Sequence, residues 1–460
     1  MNPVRPRHIA LFILACLLLL GAICAVAEFN KPLLGSMRWP TLSEKLGLPK
    51  QAVVIETDSA ALAELKEFPD SLDIPTVLDT VPAPVVAKKP IPTDTLRPVT
   101  PAKAPLQAFR EALAEAADKQ VRVVHYGDSQ IEEDRITATL RQHLQAEYGG
   151  HGTGLLPLVQ TIPTRTVKQY ITIDGERVSA KNGPVRHLIY GPKNQLRDTN
   201  LYGPLGQVAI MDTTLRKGTN NITMHIEPFG KITSANYFSQ VRIWKSDSIE
   251  VNARSENILH FPDSTTQCTL EFEGQGDVYG ISLETPTGVL VDNIPMRGGS
   301  GYVFTQMNRD QLTEFFRETN TKLIILQFGG NVMPWAETED RVKGYAYSMR
   351  KQIRFLRSCA PDASILFIGP SDMTTVVDGE KTTYPMLPLM DSQLARMAAS
   401  EGIAYWSLYK SMGGWNSMIS WQEKGLAASD GVHFMQAGAR KAGEMLWKWL
   451  EKQLVESRKQ

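Results

Sequence analysis

From residue 106 onward, apolar residues alternate between two spacings. Short unbroken runs such as "VRVVHY" (121–126), "KLIILQF" (322–328), "SILFIG" (364–369) and "IAYWSL" (403–408) read as buried strands. Between them the apolar positions widen to helical spacing. Leu106, Phe109, Leu113 and Ala117 would share one helix face. So would Ile136, Leu140 and Leu144, and then Val342, Ala346, Met349, Ile353 and Leu356. Further helices are expected near 387–401 and from Gln436 onward. Strand alternating with helix predicts an α/β domain, a parallel sheet covered on both faces.

Between about Leu158 and Gly288 that alternation stops. Gly and Pro punctuate short runs such as "QYITID", "NITMHIEPF", "SQVRIW", "CTLEFEG" and "VYGISLE". Strands this short and this closely spaced predict an antiparallel β-sandwich. The stretch is too long and too strand-rich for a loop. The expected organisation is therefore a first domain from 106–157 and 289–460, with 158–288 inserted into it. Tyr237, Phe238 and Trp244 of the insertion are the kind of rings that stack on sugars, but large aromatics more often fill a core.

The N-terminus has a different texture. Arg5, Arg7 and His8 precede an uncharged apolar run from Ile9 to Ala27. Residues 1–30 thus read as an export segment, either a cleaved signal peptide with Ala25-Val26-Ala27 as cleavage site or an uncleaved single inner-membrane anchor. Either way the positive flank stays cytoplasmic and the remainder is exported, in the expected case to the periplasm. Residues 31–105 read as an extended spacer, with eight prolines between Pro75 and Pro105.

Charge adds little. Lysine plus arginine equals aspartate plus glutamate at 49 each, so no global field favours nucleic acid. Beyond the N-terminal segment only Cys268 and Cys359 remain, in different predicted units, and no Cys/His cluster has zinc-site spacing.

The chemistry sits at strand ends. In an open parallel sheet, ligands bind beyond the carboxyl ends of the strands, and Ser129 follows "VRVVHYGD" at such an end. Asp128 and Ser129 equally suit capping a helix. Glu132, Glu133 and Asp134 are expected to decorate the first helical turn. A serine nucleophile needs an imidazole base and gains from an orienting carboxylate; His433 with Asp430 three residues earlier can supply both. Asn331, after Gly329-Gly330 at the end of a core-type strand, can donate to a developing oxyanion, and so can a backbone N–H at Gly298 or Gly299. Gly-x-Asn recurs at Gly218–Asn220 and Gly414–Asn416, but only the Asn331 copy follows such a strand.

Gly-Asp-Ser at 127–129, Gly298 five residues after Asn293, Gly329-x-Asn331 and Asp430-x-x-His433, in this order, resemble the SGNH (GDSL-type) hydrolases. Gln130 stands where that signature has leucine, and Val332 where aspartate often follows the asparagine. The resemblance implies a flavodoxin-like three-layer domain. It also implies a triad of Ser129, Asp430 and His433, and an oxyanion hole from the N–H groups of Ser129 and Gly298 and the Asn331 amide. No metal or cofactor is implied. The β-rich insertion, "YWSLYKSMGGWNSM" and "DGVHFMQAGARKAGEML" resemble bacterial peptidoglycan O-acetylesterases, which carry a carbohydrate-binding-module-like sandwich in that place. The implied partner is an O-acetylated glycan, the implied activity serine ester hydrolysis. An O-acetyltransferase of the same fold and a non-catalytic wall-binding protein are the alternatives.

Overall fold

The structure, a computed structural model, describes residues 105–156, 164–173, 176–178, 222–274 and 278–456. The expected export segment and the spacer up to residue 104 lie outside them. Among the described residues no helix is long and apolar enough to cross a membrane.

In chain order the first domain begins with α1 (Gln107–Leu113) and β1 (Gln120–Gly127), followed by a 3-10 segment (Ser129–Asp134) and α2 (Thr137–Tyr148). The antiparallel strands are β2 (Gly154–Leu156), β3 (Val167–Ile173), β4 (Glu176–Val178), β5 (Ile222–Pro228), β6 (Phe238–Lys245), β7 (Ile249–Val251), β8 (Ile258–Thr265), β9 (Cys268–Gly274) and β10 (Val278–Glu284). The chain returns through β11 (Gly288–Pro295), α3 (Arg309–Glu318), β12 (Thr321–Gln327), α4 (Glu339–Cys359) and β13 (Ser364–Ile368). A hairpin, β14 (Thr374–Val377) and β15 (Glu380–Thr383), precedes α5 (Leu387–Glu401) and β16 (Ala404–Trp406). Helices α6 (Leu408–Met412), α7 (Ser417–Glu423) and α8 (Gln436–Glu456) finish the domain.

The five strands β11-β1-β12-β13-β16 pair in that order, all parallel. Counted along the chain, this is second, first, third, fourth, fifth: the flavodoxin-like order. Alternate side chains of each strand enter different cores. Val124, Tyr126, Ile324, Leu326, Ile365 and Phe367 pack with residues of α3, α4 and α5. Val121, Val123, Leu323, Ile325, Leu366 and Ile368 pack with residues of α1, α2 and α8. The unbroken apolar runs are thus the signature of strands buried on both sides. Helix α1 is shorter than its spacing suggested. It ends at Leu113, and Ala116 rather than Ala117 is buried in the turn that follows.

Apart from the β14–β15 hairpin, the remaining strands form two antiparallel sheets, β2-β10-β6-β8 and β4-β3-β5-β9-β7. Their facing side chains, among them Ile171, Met224, Val241, Ile243, Leu270 and Ile281, share a separate core. Phe238 is fully buried there, whereas Trp244 is half-buried and lies 5.6 Å from the Phe315 ring of α3. Tyr237 stays exposed, edge-on to His151. Cys268 and Cys359 are free thiols.

A buried ionic cluster joins the antiparallel strands to the parallel sheet. Arg122 of β1 is fully buried and pairs with Asp292 of β11 at 3.2 Å and with Glu284 of β10. Arg242 of β6 reaches the other oxygen of Glu284 at 2.8 Å. Two arginines thus face two carboxylates, which is what lets Arg122, Asp292 and Glu284 stay out of water while Arg242 keeps partial contact with it.

Candidate active site

The strand order reverses at β1, whose partners β11 and β12 lead onward in opposite directions, and this opens a crevice beyond the strand ends. Ser129 lies there after β1 and Asn331 after β12. The Ser129 hydroxyl is 2.8 Å from His433 Nε2. His433 Nδ1 is 2.7 Å from Asp430 Oδ2. The structure therefore brings together the serine, histidine and aspartate singled out from the sequence.

The Asp430–His433 turn is locally determined. Asp430 Oδ1 accepts the amide N–H groups of Val432 at 2.9 Å and His433 at 3.0 Å, an Asx-type turn that leaves Oδ2 for the ring. Burial tends to raise the Asp430 carboxyl. The hydrogen bonds from the His433 ring and the two amides outweigh it and hold the group below its ordinary value. Gly431 has φ +71°, and a Cβ there would sit 1.9 Å from the Thr374 hydroxyl, so only glycine fits. Thr374, on the β14–β15 hairpin, receives this turn: its N–H donates to the Gly431 carbonyl at 2.9 Å. The sequence reading passed over that hairpin, although Asp378-Gly379 between two threonine- and valine-rich runs is a two-residue hairpin signal.

Asp128 does cap the segment after β1, accepting the Gln130 N–H at 2.9 Å. Capping and placing the serine are therefore one arrangement, not competing roles. Burial pushes the Asp128 carboxyl up to about 6, against the lowering effects of the Gln130 N–H and of His433. Among the described residues, neither the Ser129 nor the Gly298 N–H has a hydrogen-bond acceptor, so both are available to an incoming oxygen. Gly298 is left-handed at φ +72°. Asn331 lies in a short 3-10 turn, and its Nδ2 donates to the Gly299 carbonyl at 3.0 Å. The amide carries a second hydrogen, and the bond it already makes ties the Asn331 turn to the Gly298 loop. Val332 is core.

Glu132, Glu133 and Asp134 correct the sequence reading. No regular first turn is present: Glu132 is extended at ψ 157°, and Glu133 and Asp134 are left-handed at φ 60° and 64°. Glu132 is buried and grips Arg297 with both oxygens, at 2.6 and 2.8 Å, linking the serine segment to the residue before Gly298. Asp134 is buried against Arg141. Asn293 bonds the Ile131 carbonyl and Thr137, fixing the start of α2. Sequence reasoning also missed Arg135, which donates to the Ser129 and Phe434 carbonyls at 3.4 and 3.2 Å. Its only local signal is a basic residue amid acids.

No protein-family model matches the sequence, and no curated protein does. Solved structures do match. A peptidoglycan O-acetylesterase superposes with TM-score 0.59 and 22% identity over 77% of this chain and 97% of its own. An acetyl xylan esterase matches at TM-score 0.28 and 14% identity, over 35% of this chain and 81% of its own. A carbohydrate acetylesterase from Sinorhizobium meliloti matches at TM-score 0.26 and 11% identity, over 36% of this chain and 79% of its own. The 2-1-3-4-5 parallel sheet, its added antiparallel strands and the extent of the first of these likenesses give this chain the SGNH-hydrolase fold.

Proposed function

We propose that the chain is a serine esterase that removes O-acetyl groups from cell-wall glycan, peptidoglycan in particular. One observation carries the reading: the unbroken relay from Ser129 through His433 to Asp430, at 2.8 and 2.7 Å. His433 Nε2 takes the hydroxyl proton as Ser129 Oγ bonds to the acetyl carbonyl carbon, and Asp430 steadies the imidazolium. The N–H groups of Ser129 and Gly298 and the free amide hydrogen of Asn331 receive the oxyanion. Collapse breaks the bond to the sugar oxygen, which leaves with the proton from His433. Water, deprotonated by the same imidazole, then attacks the acetyl-serine and releases acetate.

Openness of the site favours hydrolysis over transfer to another sugar. The His433 and Asp430 side chains keep 34% and 47% of their surface exposed, so water reaches the acyl-enzyme. The choice of polymer rests on the likeness to a peptidoglycan O-acetylesterase and on the N-terminal sequence, an apolar run and proline-rich spacer suited to delivery into the periplasm. The inserted strands are read as a glycan-binding module. The purified chain should release acetate from O-acetylated peptidoglycan and none from de-acetylated material. Release that survives Ser129→Ala would remove the serine from the chemistry and the esterase assignment with it.

A further inference from the structure

A cleft of about 230 Å³ lies between the starts of α2 and α8 and the antiparallel strands. It is distinct from the serine–histidine crevice but shares a wall with it. Arg135 lines the cleft and also holds the carbonyls of Ser129 and Phe434. Gln436, on the same wall, follows His433 by three positions.

The cleft is electropositive in a chain whose charges otherwise cancel. Arg135, Arg165, Lys231 and Arg440 line it, against Glu133 and Asp134. Both carboxylates are engaged, Glu133 by Arg165 at 2.8 Å and Asp134 by Arg141 and Thr166. Arg135 is engaged by backbone carbonyls and by the Glu132 carboxylate at 3.7 Å. Lys231 and Arg440 are exposed and have no ion-pair partner among the described residues. They come from opposite sides, Lys231 from the β5–β6 connection and Arg440 from α8, so two unneutralised cations converge on one concavity. Beside Lys231, Phe229 leaves 47% of its surface in solvent, an apolar ring on the same lining. Convergent cations focus a field in a recess more than on a convex surface, and an aromatic face beside them suits the C–H face of a sugar better than a small inorganic anion.

We propose that this cleft binds a carboxylate-bearing part of the acetylated polymer, held between Lys231 and Arg440 with a neighbouring sugar on Phe229, while the ester sits at Ser129. The identity of the polymer rests on the esterase reading; the charge preference does not. The carboxylate has two sources in peptidoglycan, the peptide stems or, on units whose stem has been cut away, the sugar's own lactyl group, whose carboxyl an attached stem holds as an uncharged amide. Because one cation comes from each domain, the cleft gives the inserted strands a part in selecting substrate.

The test separates the two claims. Full-length chain carrying Ser129→Ala is titrated with O-acetylated peptidoglycan, intact or enzymatically stripped of its peptides, with and without Lys231→Glu and Arg440→Glu. Charge reversal at both positions should weaken binding by about tenfold at low salt, which is about 1.4 kcal/mol shared between two screened ion pairs. The parent's binding should fall as salt rises, a measurement independent of how the variants fold. Loss on stripping assigns the carboxylate to the stems. Retention on stripped polymer, still sensitive to charge reversal, assigns it to the lactyl carboxylate that stripping frees. Binding indifferent to both salt and charge reversal overturns the proposal. If binding depends on charge but the Ser129 chain releases no acetate, the cleft stands and the esterase reading falls.

Discussion

Gln130 Nε2 lies 2.5 Å from the Val432 carbonyl, so the residue after Ser129 is tied to the residue before His433, 302 positions downstream. The same amide reaches Ser371 Oγ at 3.3 Å. Glutamine where the GDSL signature has leucine thus acts as a clamp between the two halves of the site. Gln130→Leu restores the signature but removes the donor. It also removes Gln130 Oε1, a buried oxygen with no partner, so stability should change by about 1 kcal/mol or less. Turnover should fall about tenfold, because small misplacements of reacting groups are costly. Urea unfolding with kcat and KM on a neutral acetyl ester checks both; an unchanged kcat would show that the clamp does not set the geometry.

Asn331 anchors the Gly299 carbonyl and is the proposed side-chain donor to the oxyanion. Asn331→Ala should raise the barrier by about 2.7–4 kcal/mol, seen in kcat rather than KM, since the oxyanion exists only after attack. The melting temperature should move little, because one neutral hydrogen bond is worth about 1 kcal/mol net. Full turnover in this variant would leave the oxyanion to the two backbone N–H groups.

Glu132 and Arg297 join the two loops that frame the proposed oxyanion site. Glu132→Gln keeps the shape but replaces a two-oxygen ion pair with one hydrogen bond from the guanidinium to an uncharged amide oxygen. With the Gly298 loop less fixed, kcat should drop by about tenfold with little change in KM. Glu132→Asp, which keeps the charge, should recover part of the loss. A purely structural role predicts lowered stability with kcat intact.

The catalytic candidates were legible because they sit where the chain is locally determined. Ser129 and Asn331 end strands whose apolar runs are unmistakable, and Asp430 and His433 lie within one short turn. What stayed hidden depends on partners far away in sequence. Glu132 stays buried because Arg297 meets both of its oxygens from 165 positions on, adding to the nearby Arg135 at 3.7 Å. The position of "GVLVDNIP" beside β1 is set by pairing from Gln120–Gly288 to Gly127–Pro295, which no local spacing encodes. The β14–β15 hairpin is a different case: its Asp-Gly turn was visible but lay between two stronger signals, a strand and a helix.

Asp128 makes stability depend on pH in a definite direction. Burial raises its carboxyl to about 6 in the folded chain, above the ordinary carboxylate range of the unfolded one. Its stabilising contribution is therefore present at low pH and lost as pH rises through about 6. His125, buried and held down to about 3 chiefly by burial, works the opposite way, losing stability as pH falls below the ordinary histidine range. Comparing the wild type with Asp128→Asn isolates the aspartate. Asparagine keeps the acceptor for Gln130 and never ionises, so the variant should gain on the wild type between about pH 4 and 7, by roughly 3 kcal/mol for a shift of about two units. Parallel denaturation curves across that range would show that Asp128 is not desolvated.

Arg122 offers the sharpest test of how the antiparallel strands are fastened to the parallel sheet. Its guanidinium meets Asp292 and Glu284, from β11 and β10, and all three are fully buried. Arg122→Met leaves two carboxylates facing each other with Arg242 alone to offset them, and losing one partner of a buried cluster costs about 3–5 kcal/mol. The loss should itself depend on pH. Burial already raises the Asp292 carboxyl against the lowering effect of Arg122, and without the arginine it rises further. A raised carboxyl stabilises the fold only while protonated, so the deficit of Arg122→Met should be greatest near neutrality and shrink as pH falls toward the ordinary carboxylate range. Replacing Arg122, Asp292 and Glu284 together by apolar residues of similar size should recover most of the stability at neutral pH. A deficit constant across pH, or a triple variant no better than the single, would mean that Arg122 acts through packing rather than charge.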